Sequence, residues 1–519
     1  MILILILVSI LVFILLVFFY KKPDIIYLDS PSKKILMYLY KTTYCGKHAS
    51  LSYNENQGPI FKYNLNKTCT DGSQDFWLNG NMLETILNYT EITNDKTFLK
   101  IILENTSTTG QLQQMLVNGY NGCWNDDRMW WALSYVRMYE YNHILFDKEL
   151  LFGSQIFNAT YNTSFTLFDC TGSIKYTTTW WQLFGPTKPD NSINDEADPN
   201  GIKTYRNAVT NSLFLELALR LYDISKNMKS DMLSKYELYN KDIYWDVANK
   251  LIPFLKSLKL NNGLIADGYK DCNTITENPY TYTQGIILDA FSRAGIIAYE
   301  KNDKILYYDC LNFVLLLIDK MTLNALLNVS DTISCNIHVN NRIDCIGNEG
   351  GDKEKCLSDH NCCYNSNLPG ETAPYCYKKA NETINPLLTT VNNVSILTEI
   401  YSSMSEGSGN AFKGIFMRYL SYSIKTLNIF FKKHPKEYNV RAKTILSNAI
   451  IFIQNNYNYV LENSVNKKNG LYSFFWNLSK EQNSYLNDNQ FSTASTISVV
   501  DLINSYHFVN LMENSVKKK

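Results

Sequence analysis

The chain has 519 residues with 49 basic and 49 acidic side chains, and 13% of it is aromatic, including 37 tyrosines and 8 tryptophans. Balanced charge leaves no global field to recruit nucleic acid or an anionic surface, so nucleic acid is excluded and a nearly neutral partner is expected. The length suits one large domain with a small module, and the aromatics suit either a large core or flat carbohydrate faces.

Residues 2–20 of the opening "MILILILVSILVFILLVFFYKK" carry no charge. A run of that length spans a bilayer as a helix, whereas a cleavable signal has a shorter apolar stretch and a small-residue cleavage site. Residues 1–22 therefore read as an uncleaved signal anchor, with the lipid bilayer as a partner. Lys21 and Lys22 after the span favour a cytosolic body by the positive-inside rule. Twelve cysteines argue the other way, as do N-x-Ser/Thr sequons at Asn66, Asn88, Asn105, Asn158, Asn162, Asn328, Asn381, Asn393 and Asn477. The cysteines outweigh two lysines, and the body is expected in the secretory lumen or outside the cell.

Beyond the anchor, apolar residues recur at helical spacing in many segments separated by polar, Gly-containing loops. The pattern predicts helices over 75–90, 111–119, 127–142, 204–226, 234–258, 281–300, 304–324, 384–404, 411–431, 438–457 and 491–511. Sustained strand alternation is scarce, so the fold class is all-α, with helix pairs stacked about one centre.

The stretch "NGCWNDDRMWWALSYVRMYEYN", Asn121 to Asn142, sets Asp126 beside Asp127 just before an amphipathic pattern. One reading is a helix start, since carboxylates favour the free amides and the dipole there. The other is chemistry. Trp124, Trp130 and Trp131 surround the pair, sugar rings stack on such faces, and retaining glycoside cleavage needs two carboxyls about 5–5.5 Å apart. Trp130 and Trp131 adjoin on the helix, so at least one belongs to the core. A helix terminus lowers the pKa of a nearby carboxylate, while mutual repulsion and burial raise it. No phosphate loop or nucleotide fingerprint is present, and the sequence calls for no metal and no organic cofactor.

Six cysteines, Cys335, Cys345, Cys356, Cys362, Cys363 and Cys376, crowd into 331–380, a segment too short to bury much core without disulfides. With paired cysteines followed by "PYCY", and Arg342 ahead of the second cysteine, it resembles a trefoil (P-type) domain. That resemblance implies pairs Cys335–Cys363, Cys345–Cys362 and Cys356–Cys376. Asn361 replaces the usual glycine before the double cysteine. The other six, Cys45, Cys69, Cys123, Cys170, Cys272 and Cys310, permit up to three more disulfides in connectivities left open.

"WNDDRMWWALSYVRMYE" resembles the Asp-Asp signature of glycoside hydrolase family 76, retaining α-1,6-mannanases with an (α/α)6 barrel. The resemblance continues in order through "YRNAVTNSLFLELALRLYDI", "GLIADGY", "YTYTQGIILDAF", "FKGIFMRYL" and "NQFSTAS". It implies a barrel over 23–330 and 381–519 interrupted by the trefoil, with Asp126 as nucleophile and Asp127 as acid/base. It further implies a mannose-containing glycan as partner. Thr283 stands where the family has Asn, and "TTTWW", Thr177 to Trp181, lacks the usual glycines. Asp267, Gln284, Asn125 and Trp181 are candidates for sugar hydroxyls and faces, and Tyr282 for stacking. Lys413 and Arg418 also follow the family pattern, on a helix where they can equally pair with acids. A transglycosylase moving such glycans to an acceptor polysaccharide, and a non-catalytic glycan-binding protein, are the rival readings.

Overall fold

The computed structural model describes residues 30–46, 60–62, 69, 76–106, 125–162, 206–269, 275–276, 278–322, 333–334, 362–364, 376–378, 380–381, 385–391, 394–399, 408–466, 470–486 and 491–517. Its longer helices are α1 (Pro31–Thr42), α2 (Phe76–Thr93), α3 (Leu99–Thr106), α4 (Asn125–Tyr141), α5 (Asp147–Thr160), α6 (Ala208–Ser225), α7 (Lys241–Ser257), α8 (Thr281–Glu300), α9 (Lys304–Thr322), α10 (Phe412–Lys433), α11 (Val440–Asn463) and α12 (Thr493–Lys517). Side-chain caps start several of them. Ser30 accepts from the Lys33 amide with Pro31 in the first turn of α1, and Asn207, Asn240 and Asn439 accept from first-turn amides of α6, α7 and α11.

The even-numbered helices pack in a cycle: α2 on α4, α4 on α6, α6 on α8, α8 on α10, α10 on α12, and α12 back on α2. The others lie outside, α3 on α2, α5 on α4, α7 on α6, α9 on α8, α11 on α9 and α12, and α1 on α12. Residue pattern explains the division. Almost every residue of α6 is buried, as an inner position demands, whereas α7 and α11 bury one apolar stripe. Glycines let the inner helices converge. A Cβ on Gly285 of α8 would lie 2.8 Å from Phe416 Cα of α10, and one on Gly414 of α10 would lie 2.4 Å from Ser498 Cα of α12.

Strands are short. β1 (Arg206–Asn207), β2 (Gly268–Tyr269) and β3 (Ile275–Thr276) form one antiparallel sheet. In the cysteine-rich segment, β4 (Ile333–Ser334) pairs with β7 (Ala380–Asn381), so its entry and exit share a stem. Within it, β5 (Cys362–Tyr364) pairs with β6 (Cys376–Lys378). The side chains of the six trefoil cysteines, and with them the implied pairing, lie outside the described residues.

Several expectations are corrected. The helix expected over 384–404 is instead the hairpin β8 (Leu388–Val391) and β9 (Val394–Leu397), because Thr389, Thr390, Val391, Val394 and Ile396 are β-branched and suit a pleat. Helices α1, α3 and α5 were not anticipated. In α5, Gly153 breaks the apolar pattern, yet it is what lets the helix lie against Val136 of α4. The sequons at Asn88 and Asn105 are interior: Asn88 Oδ1 accepts from Tyr422 and Arg137, and Asn105 Nδ2 donates to the Ile101 carbonyl at 2.8 Å. Neither can carry a glycan in the folded protein. Cys45 and Cys69 form a disulfide, while Cys310 is a buried free thiol under Gly295, its pKa pushed up to about 12 by burial. The six non-trefoil cysteines therefore do not form three pairs. Among the described residues no helix is long and apolar enough to cross a membrane; the anchor expected over 1–22, like the helix expected over 111–119, lies outside them.

Candidate active site

The N-termini of the inner helices meet at one end of the ring, where a set of aromatic rings joins four of them. Trp77, second residue of α2, lies 5.7 Å from Trp130 of α4 and 6.2 Å from Phe412, which opens α10. Tyr282, second residue of α8, stacks on Phe412 at 3.9 Å and stands 6.4 Å from Trp130. Asp126 and Asp127 occupy the first turn of α4. They precede Trp130 by four and three residues, so the carboxylates sit one turn above this aromatic floor on the same helix face. A cluster of positive dipole ends thus surrounds two carboxylates over flat apolar rings.

Both aspartates are half-buried. Burial pushes the Asp126 carboxyl up to about 6, against hydrogen bonds from the Asp126 and Asp127 amides that hold it down. Of the two opposing effects anticipated from the sequence, desolvation wins over the helix terminus. Among the described residues no group of His, Cys, Asp and Glu is arranged to hold a metal ion.

Other candidates separate clearly. Trp130, itself only 2% exposed, underlies the floor beside Trp77 and Tyr282, whereas Trp131 is fully buried, with Gly80 of α2 against its ring and Tyr135 beside it, and is a core residue rather than a sugar face. Gln284 is also corrected. Its Oε1 accepts from the Ile265 amide at 2.9 Å and its Nε2 donates to the Ile265 and Tyr280 carbonyls at 2.8 and 3.2 Å. An amide so occupied clamps the 264–266 loop instead of binding hydroxyls. Asp267 follows that loop, half-buried, with its carbonyl accepting from the Ala208 amide at the start of α6. Asn125 is buried at the head of α4. Trp124 and Trp181 lie outside the described residues.

Beneath the floor, a set of buried ion pairs runs between the inner helices. Arg418 pairs with Glu84 at 3.0 Å and bonds Asn81 Oδ1 at 2.5 Å, with Asp501 at 3.7 Å, which makes it an internal counter-ion. Arg220 reaches Glu216, Glu140 and Asp289 at 2.5, 2.7 and 3.2 Å, and Arg137 reaches Glu91 and Glu140 at 2.7 and 3.0 Å. Burial, with Asp289 adding to it, pushes the Glu216 carboxyl up, against the opposing pull of Arg220 and Arg293. Glu84 is eight residues into α2, roughly 12 Å below the mouth. The layer braces the ring and stays clear of the pair. Of this layer the sequence offered only Arg418 as a partner for acids; the other members each fall singly within an apolar run.

The glycosyl hydrolase family 76 model matches residues 42–304, just over half of the chain, and the trefoil (P-type) domain model matches 335–379. No curated protein sequence matches the chain. Among solved structures, the GH76A alpha-1,6-mannanase from Salegentibacter sp. HEL1_6 is 15% identical with a TM-score of 0.53, over 92% of this chain and 97% of that one. Dfg5 from Chaetomium thermophilum, solved in complex with glucosamine, is 14% identical with a TM-score of 0.52, over 94% and 93%. The family 76 mannosidase Bt3792 from Bacteroides thetaiotaomicron is 11% identical with a TM-score of 0.51, over 93% and 98%. At these identities the likeness is one of fold.

Proposed function

Because the chain belongs to glycosyl hydrolase family 76, we propose that it is a retaining glycosidase that cleaves α-1,6-linked mannose in mannan-type glycans. The observation that carries this reading is the Asp126–Asp127 pair in the first turn of α4, set over the Trp77, Trp130, Tyr282 and Phe412 rings where the inner helices converge. The cyclic packing supports an (α/α)6 barrel over 23–330 and 381–519, interrupted by a trefoil domain over 331–380.

In the reaction, Asp126 attacks the anomeric carbon while Asp127 gives its proton to the leaving oxygen, forming a mannosyl ester. Water, deprotonated by Asp127, then releases mannose with its original configuration. A raised carboxyl is more usual for the acid than for the nucleophile, yet it leaves Asp126 ionised at neutral pH. With the Asp126 carboxyl near 6, about nine in ten molecules carry the charge at pH 7, and the nucleophile is lost as pH falls. The rate measured as kcat/KM should therefore drop tenfold per pH unit below about 6, and an acid limb centred near 4 would contradict the assignment.

A transglycosylase is the second reading, favoured by the fold likeness to Dfg5. Its first half-reaction is the same, and only the acceptor differs. Incubating the protein with α-1,6-mannan, with and without an acceptor sugar, separates the readings: shortened chains mean hydrolysis, an extended acceptor means transfer, and unchanged mannan with retention on a mannan column means a binding protein.

The reading also places the body in the secretory lumen or outside the cell, tethered by residues 1–22. Asn162, exposed at the end of α5, is a site at which glycan can be added. Protein made in eukaryotic cells should gain gel mobility on glycosidase treatment. Unchanged mobility together with a fully alkylatable set of cysteines would sink this placement.

A further inference from the structure

The hairpin that replaces the expected helix over 384–404 ends in Glu399, which is buried at the mouth of the ring. Helix α8 needs it. The residue before α8 is Tyr280, whose side chain gives no cap, and Glu399 Oε2 accepts instead from the Thr281 amide at 3.2 Å and from Thr281 Oγ1 at 2.5 Å. Glu399 is itself held from outside. The Leu397 amide donates to Asn456 Oδ1 of α11 at 2.8 Å, and Asn456 Nδ2 donates to the Ser395 carbonyl at 3.2 Å.

Across the joint, Lys413 follows Phe412 in the first turn of α10. Its side chain is 1% exposed, and its ammonium lies 3.5 Å from the Phe474 ring centre and 5.6 Å from that of Trp476. Thr281 therefore joins Glu399 to Tyr282, and Lys413 adjoins Phe412 in sequence. Tyr282 and Phe412 are the two rings that stack at 3.9 Å.

We propose that Glu399 and Lys413 are positioning residues that hold the Tyr282–Phe412 stack in register as the sugar platform, and so set affinity for mannose chains more than the rate of cleavage. The proposal rests on the glycosidase reading above. Burial lowers the Lys413 amine to about 7 and the Glu399 carboxylate opposes that shift, so the two groups feel one another across the joint. Two positive helix ends and one ammonium meet one carboxylate, and removing the carboxylate leaves them to repel.

The test is a double-mutant cycle in the full chain, with α-1,6-mannotetraose as substrate. Glu399→Ala should raise KM about tenfold, which is about 1.4 kcal/mol, and leave kcat within about threefold. Glu399→Gln keeps an acceptor for Thr281 and should raise KM less, and Lys413→Met should raise it too. In a Tyr282→Ala background, Glu399→Ala should add almost nothing, because a residue acting through Tyr282 has nothing left to position. A full tenfold increase on top of Tyr282→Ala, or a fall in kcat at unchanged KM, would overturn the proposal. If Glu399→Ala does not fold, the cycle is run with Glu399→Gln and Lys413→Met. Failure of the wild type to cleave α-1,6-mannan would count against the glycosidase reading alone; the cycle would then be read on mannotetraose binding by calorimetry, with the same two outcomes deciding.

Discussion

Asp126→Asn and Asp127→Asn should each lower turnover of an α-1,6-mannoside by several orders of magnitude while the fold survives. Each change removes a charge and nearly preserves shape, and no other carboxyl of the first turn of α4 substitutes for either. The two variants should differ in kind. Asp127→Asn should keep activity on substrates whose leaving groups need no proton, and azide should restore its turnover with retained configuration by attacking the mannosyl ester. Asp126→Asn with azide should instead give a mannosyl azide of inverted configuration. The reverse pattern would exchange the two roles, and the carboxyl raised to about 6 would then be the acid. Proton NMR of the wild-type reaction should show α-mannose first; initial β-mannose would end the double-displacement mechanism.

Stability should move opposite to activity at this position. A carboxyl whose folded pKa is raised from 3.8 to about 6 contributes stability that is present below 3.8 and lost as pH rises through 6. At pH 8 the buried charge costs about 1–3 kcal/mol, so Asp126→Asn should melt above the wild type there, and the gap should close toward pH 4. A variant that melts lower at both pH values would mean that the charge is favourable where it stands.

The inner helices were legible in the sequence because their apolar residues recur at helical spacing, as in "NSLFLELALRLYDI" of α6. The position of the Asp126–Asp127 pair was legible as well: two carboxylates just ahead of an apolar periodicity favour a helix start, and they stand in the first turn of α4. What was not legible depends on partners distant in the chain. Gln284 looks like a hydroxyl binder until its amide is seen closing on Ile265, and Trp131 looks like Trp130 until Gly80 is found against its ring. Glu399 was hidden by a misread helix: Leu387, Leu388, Leu397 and Ile400 allow helical spacing, but the β-branched residues between them prefer strands. Asn88 looked like a glycan acceptor and is a core amide.

The largest expected loss of stability comes from Arg220→Met. Arg220 is the shared counter-ion of Glu216 and Asp289, both fully buried, and of Glu140, whose carboxyl is held down to about 2 with Arg220 the foremost stabilising neighbour against burial. Methionine has similar bulk and no charge, so packing is largely kept while each of three acids loses one of its basic partners. Breaking a buried ion pair from one side typically costs about 3–5 kcal/mol. Arg293 also touches Glu216 and Asp289, at 3.0 and 3.4 Å, and should keep the loss in the lower part of that range. The sign with pH follows from the acids. Without Arg220 their folded pKa values rise, so each contributes stability while protonated and withdraws it as pH climbs through the raised value. Thermal melts should therefore show a modest deficit at pH 5 and a larger one at pH 8. Equal deficits at both values would mean that Arg220 acts through packing, and no deficit would mean that the ionic layer does not brace the ring.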